Sequence, residues 1–158
     1  MIMPNKLDAI DHNILRALQQ DGRLTNVELA DKVGLSPSPC LRRVKRLEAE
    51  GIIRGYRAIV DRAATGLGLT VLTEIKVGRH TRKNADALQE ALEGVPEIVS
   101  CHMVSGAPDF IAEIVVPDLA AYEQLLSNVL LNLPMVQDIR SNFSLRPVKT
   151  DGPLPVPS

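Results

Sequence analysis

Between Thr25 and Gly51 the chain reads TNVELADKVGLSPSPCLRRVKRLEAEG, two helical patterns joined by so few residues that only a tight corner can connect them. Thr25 and Glu28 have the S/T-x-x-E spacing of a capping box, which starts a helix at Asn26. Val27, Leu29, Ala30 and Val33 supply its buried face, and Gly34 follows where a residue tolerant of positive φ closes a helix. Ser36 or Ser38 then caps the next helix, with Pro37 or Pro39 near its first turn, where a missing N–H costs little. In that helix Cys40, Val44 and Leu47 with Leu41 form an apolar stripe, and Ser38, Pro39, Arg42 and Arg46 are expected on the opposite side. Two helices meeting through a short Gly-containing turn is the helix-turn-helix signature, whose second helix enters the major groove N-terminus first.

Arg42, Arg43, Lys45 and Arg46 read alone as a solvated basic face. Their place on the second helix of a capped, Gly-turned pair points instead to DNA. Arg42 and Arg46, expected opposite the core, suit base edges or nearby phosphates, and Arg43 and Lys45 suit phosphates. Ser36 and Ser38 at the helix start can accompany them.

Net charge over the 158 residues is −1, which argues against a simple polyanion binder, but the distribution reverses that impression. Residues 1–60 hold ten Lys and Arg against seven Asp and Glu, and residues 61–158 hold eight against twelve. The basic charge lies in the half that carries the helix-turn-helix. A hydrophobic fraction of 45% describes an ordinary soluble protein of one domain or two small ones. No apolar run approaches a membrane span and the N-terminus has no signal-peptide pattern, so a cytoplasmic, nucleoid-associated location is expected. Cys40 and Cys101 are read as reduced, small hydrophobic fillers.

Upstream, Leu7, Ile10, Ile14 and Leu18 repeat at helical spacing until Asp21-Gly22, giving a third helix. Residues Ile52 to Val60 alternate loosely and predict a short strand, in which Arg54 and Arg57 could touch phosphate as a wing would but are better explained as surface charges. A boundary follows at residues 61–68, with two glycines and two alanines. Beyond it the period changes. Leu69, Val71, Ile75 and Val77 predict a strand; Ala85, Leu88, Leu92 and Val95 a helix; Ile98 to Val104 and Phe110 to Val116 a hairpin around Ser105-Gly106-Ala107-Pro108-Asp109. Asp118 caps a helix carrying Tyr122, Leu125, Leu126, Val129 and Leu130 that Pro134 ends, and Val136 to Val148 is a last strand with Ile139, Ser141, Phe143 and Leu145 on one side. The order βαββαβ predicts a ferredoxin-like arrangement and, with the head, an α+β chain. Its sheet would leave one apolar face open, for which a two-fold dimer is the simplest cover. The tail TDGPLPVPS is expected to be extended or disordered.

The segments LDAIDHNILRALQQDGR, NVELADKVGLSPSPCLRRVKRLEAEGIIRGY, CHMVSGAPDFIAEI and VPDLAAYEQLLSNVLLNLPMV together resemble the Lrp/AsnC family of feast-or-famine transcription regulators, over about residues 6–150. The resemblance implies a winged-type DNA-binding head at residues 1–60, a linker at 61–68, an effector-binding and oligomerisation domain at 69–150, and a Pro-rich tail at 151–158. It implies a homodimer that assembles into a tetramer or octamer, double-stranded DNA as partner, and a small amino acid as effector, with control of amino-acid metabolism or transport genes. SPSPC and CHMVSG are closer to the leucine-responsive than to the asparagine-responsive members. Carried over, the DNA-binding segment runs from Asn26 to Lys45 and takes in Pro39. The effector site falls on Val104, Ser105, Gly106, Ala107, Pro108 and Asp109, where loop N–H groups can receive an α-carboxylate and Asp109 can attract the α-ammonium or hold the loop in shape. The plainer reading is that Gly106 and Asp109 are turn residues, and Ala107-Pro108 departs from the more polar or aromatic residues of other members.

No catalytic set converges: His12, His80 and His102 are scattered without metal-ligand spacing, so no enzyme, metal or cofactor is expected. A ligand-independent architectural DNA-binding protein is the alternative, since the same basic helix and oligomer would serve it.

Overall fold

A computed structural model describes residues 7–78, 82–133 and 135–157, with the side chain of Arg82 excepted. The chain divides into two compact units, Met1–Ile59 with Lys149–Ser158, and Val60–Val148. Three helices build the first: α1 (Ala9–Gln20), α2 (Asn26–Val33) and α3 (Pro37–Ala49). Ile14, Leu29, Ala30, Cys40 and Leu47 are buried at its centre, one or two from each helix, with Leu7, Ile10, Leu18, Val33 and Val44 packed around them.

Local chemistry sets each helix end. Asp8 accepts from Asp11 N–H at 2.8 Å while Asp11 accepts from Asp8 N–H at 3.2 Å, a reciprocal cap that starts α1. Thr25 and Glu28 do the same for α2. Gly34 takes φ +70°, a conformation that any side chain would strain, and turns the chain toward α3. Ser36 stands at the N-cap of α3 without making a side-chain cap bond. The neighbouring tie comes from Asn26, whose Nδ2 donates to the Pro37 carbonyl at 2.8 Å.

Several expectations for this unit differ from the structure: Val27 of α2 and Leu41 of α3, expected on the apolar faces, are 57% and 42% exposed, at the edges of those faces. Residues 54–60 form no strand: alternation makes a strand possible, but only a hydrogen-bonded neighbour makes one, and none lies beside this segment among the described residues. The tail, in line with the extended alternative, forms no helix or strand among its described residues and is held on α1, where Arg16 and Gln19 bind its backbone.

In the second unit β1 (Leu69–Val77), α4 (Arg82–Glu93), β2 (Ile98–Met103), β3 (Phe110–Val116), α5 (Leu119–Asn128) and β4 (Val136–Phe143) follow in the expected βαββαβ order, with a short 3-10 turn at Leu130–Asn132. The strands lie β2-β3-β1-β4, all neighbours antiparallel. Val71, Thr73, Ile75 and Val77 of β1 and Phe110, Ala112, Ile114 and Val116 of β3 point to one face and are buried with Leu88 and Leu92 of α4 and Tyr122 and Leu125 of α5. Asp118 caps α5 through the Ala121 N–H at 2.8 Å. The expected stop at Pro134 and the position of His80 lie outside the described residues. Within residues 61–67 the chain makes a folded turn: Asp61 accepts from Ala64 N–H, and Arg62 reaches Glu113 at 2.7 Å and Thr70 at 3.2 Å. None of the described helices is long and apolar enough to cross a membrane.

Inside this core the Tyr122 hydroxyl is hydrogen-bonded to Ser141 Oγ at 2.6 Å and Thr73 Oγ1 at 3.2 Å, joining α5 to β4 and β1, and its ring meets Phe143 edge-on at 5.6 Å. Thr73 is fully buried, so its hydroxyl has no water to turn to. Tyr122→Phe is therefore expected to cost about 1–3 kcal/mol in urea unfolding with little change of volume.

Candidate nucleic-acid interface and ligand loop

The outward face of α3 is set by what its other residues are holding. Asp11 is 1% exposed, and a buried carboxylate is tolerable only when paired. Arg43 Nη1 supplies one partner at 2.8 Å and Arg46 Nη2 the other at 2.6 Å, and Arg43 also holds Asp8 at 2.8 Å. Burial pushes the Asp11 carboxyl up, but the Arg43, Asp8 N–H and Arg46 hydrogen bonds outweigh it and hold the group below the usual carboxylate range. Asp8 is lowered by the Asp11 N–H and then by Arg43, and Arg43 is raised by the same two carboxylates.

This network corrects the expected geometry of the basic run. Arg46, expected opposite the core, is turned to α1, and Arg43 goes with it. Arg42 and Lys45 are exposed and outside the ion pairs, with Ser38 exposed one turn earlier. Ser38, Arg42, Lys45 and Ala49 follow i, i+4, i+7, i+11, a stripe only about 60° wide opposite Cys40 and Leu47. Ser36 is exposed beside it, Pro39 is half-buried, and half-buried Asn26 is engaged in holding the Pro37 carbonyl.

Asp8 and Asp11 are the functional residues that the sequence reading missed. The signal was present: Asp11, Ile14 and Leu18 stand at i, i+3, i+7, which puts a carboxylate on the apolar stripe of α1.

In the second unit the β2–β3 loop is built as a closed turn. Val104 N–H donates to the Asp109 carbonyl and Asp109 N–H to the Ile75 carbonyl, both at 2.9 Å, while Asp109 Oδ2 accepts from Val77 N–H at 2.8 Å. Of the two roles open to Asp109, this geometry serves the shaping of the loop. Gly106 has φ +137°, a backbone conformation restricted to glycine. Ala107 and Pro108 border a shallow cavity of about 110 Å³ whose other walls are Glu74 and Lys76 of β1 and Asp138 and Arg140 of β4.

Those four side chains were absent from the sequence reading, although alternation implied them. With Ile139 and Ser141 facing inward, Asp138 and Arg140 must face outward, and the register sets Glu74 against Arg140 and Lys76 against Asp138. Arg140 and Glu74 approach to 3.6 Å, Arg140 largely in water and Glu74 half-buried. The open face of the sheet was expected to be apolar. It is mixed, with these charges and Glu113 beside Leu72 and Ile111, because only the helix-covered face is forced to be apolar.

A helix-turn-helix with an exposed Ser38, Arg42, Lys45 stripe, carried in one chain with a separate βαββαβ domain, defines a DNA-binding transcriptional regulator of the helix-turn-helix class. Residues 7–54 match the family described as winged helix-turn-helix DNA-binding, and residues 70–154 match the Lrp/AsnC ligand binding domain. The chain belongs to the Lrp/AsnC family of transcriptional regulators, which are not enzymes. It is 44% identical to the leucine-responsive regulatory protein of Escherichia coli K12 over 148 residues, 94% of this chain and 90% of that one. Among solved structures, a Neisseria meningitidis transcriptional regulator in complex with L-Met is similar at a TM-score of 0.90 and 37% identity, covering 95% of this chain and 97% of that one. An AsnC family regulator from Agrobacterium tumefaciens is similar at 0.89 and 34%, covering 94% and 97%.

The ion-pair network carries a pH dependence with a definite sign. Asp8 and Asp11 have folded pKa values below their unfolded ones, so their stabilisation is fully present above about pH 4–5 and is lost as pH falls through the lowered folded values. Urea titrations of the head are expected to show that loss, and Asp11→Asn to flatten it. Arg46→Ala should lower head stability, whereas Arg42→Ala should leave it within about 0.5 kcal/mol, as surface substitutions do.

Proposed function

We propose that the protein binds paired half-sites on double-stranded DNA as a homodimer, itself assembling into a tetramer or octamer, and that an amino acid held at the 104–109 loop modulates that binding. The genes controlled are those of amino-acid transport or metabolism, and the protein acts in the cytoplasm on the nucleoid. What supports the DNA reading best is the contrast within α3: two arginines spent on Asp11, and Ser38, Arg42 and Lys45 left exposed on a helix held rigidly by that spending. Arg42 is assigned to base edges, Lys45 to phosphate, and Ser36 and Ser38 to either. Asn26, Pro39, Arg43 and Arg46 act by positioning α3.

The effector reading is supported by the chemistry around the loop. A free amino acid is a zwitterion, and the cavity beside Ala107 and Pro108 offers Lys76 and Arg140 to a carboxylate and Glu74 and Asp138 to an ammonium. The Arg140 and Glu74 contact is long and its arginine lies largely in water, so it is worth no more than about 1 kcal/mol and a ligand can displace it at small cost. That a relative was solved with L-Met makes small apolar amino acids the first to try.

Two measurements test this. In operator titrations Arg42→Ala is expected to weaken binding and to relax base preference by about 1–3 kcal/mol at one position. Lys45→Ala is expected to weaken all sequences alike and reduce the log–log salt slope by about 0.9. In a thermal-shift screen of the natural amino acids, one ligand at a hundred times its Kd should stabilise by about 2.7 kcal/mol, and Lys76→Ala with Arg140→Ala should remove that shift. A flat screen across all of them would leave DNA binding without a metabolite.

A further inference from the structure

The tail is read through its backbone. Gln19 of α1 takes both main-chain groups of Leu154: its Oε1 accepts from the Leu154 N–H at 2.6 Å and its Nε2 donates to the Leu154 carbonyl at 3.3 Å. One turn earlier Arg16 Nη1 donates to the Pro157 carbonyl at 2.7 Å and the Val156 carbonyl at 3.4 Å. Val156 N–H closes on the Leu154 carbonyl at 2.8 Å. Pro153, Pro155 and Pro157 have no N–H to satisfy, so both N–H groups of the PLPVP segment have partners. Leu154 itself is 73% exposed, which excludes a pocket for its side chain as the basis of recognition. Asp151 lies 3.8 Å from Arg57, a loose outer contact.

We propose that α1 carries a docking site for an extended proline-rich segment, that its occupant is this chain's own tail, and that the contact is a releasable latch. The chain passes from the head to the second unit at residues 59–60 and back at 148–149, so the docked tail and α1 belong to the same unit. Alternating prolines keep the segment extended before it docks, which lowers the entropy lost on docking. The bonds are few and lie at the surface, where water competes for each of them. Such a contact holds because tethering supplies an effective concentration of the order of millimolar, and it opens readily for the same reason.

The test uses the full chain, a version ending at Thr150, and a full-length Arg16→Ala/Gln19→Ala variant. In the native chain the Leu154 amide is expected to exchange about ten times more slowly than in the free peptide TDGPLPVPS, and the double variant to lose that protection. Both altered proteins should be cleaved several-fold faster by protease at the 54–60 segment, with the melting of the three-helix core unchanged. To establish the occupant, Gln20→Cys, beside the docking residues but making no bond to the tail, and Leu154→Cys in a Cys101→Ser background are joined by a short bis-maleimide, and the product is expected within one chain. Free-peptide exchange at Leu154, or native cleavage rates in both altered proteins, would overturn the latch. Cross-links formed mainly between chains would overturn its assignment to the chain's own tail.

Discussion

The carboxylate of Asp11 is the constraint around which the DNA-binding head is arranged. An ion at 1% exposure needs compensation from whatever packs against it, and both of its arginine partners come from α3. Removing one partner of such a group typically costs about 3–5 kcal/mol, far more than a surface contact, so the rotation of α3 about its own axis is fixed by charge as well as by Cys40 and Leu47. Once that rotation is fixed, Ser38, Arg42, Lys45 and Ala49 are left in water on the side opposite Cys40 and Leu47. Packing and presentation are two results of the same pairing. Arg46 shows how closely it is drawn in, because its Nε is buried and finds no hydrogen-bond partner among the described residues.

Much of this was legible in the sequence, and what was not has a common cause. Element order, the caps at Thr25 and Asp118, the αL turn at Gly34 and the inward residues of β1 and β3 all follow from local periodicity and turn chemistry, and all are found. Local patterns carry no information about which distant groups meet. The helical wheel alone put Arg46 on the free face; only the approach of α1 revealed its partner, 35 positions away. The strand expected at residues 52–60 lacked a neighbour, and the tail, disordered by composition, found Gln19 about 135 positions earlier.

The candidate effector region follows the same division. Glycine and aspartate at 106 and 109 announced a turn, and the turn is there, pinned by Asp109 to the β1 backbone. The charges that give the loop its chemical character come from β1 and β4, two strands that adjoin only because the sheet order is β2-β3-β1-β4. A loop therefore supplies the shape of the cavity, and central β1 with edge strand β4 its polarity. Changes at Ala107 or Pro108 would alter the size of the cavity, and changes at Lys76 or Arg140 the charge it can accept.

The pairing of Asp11 with Arg43 and Arg46 also limits how a head of this kind can change its target. Positions 43 and 46 cannot change without a simultaneous change at position 11, so on the proposed DNA reading new specificity falls to 38, 42 and 45. A graft of α3 alone into a related scaffold that lacks an acidic residue at the matching place in α1 would free two arginines. The result would be a head that binds DNA more tightly and discriminates less, so α1 and α3 have to be transplanted together.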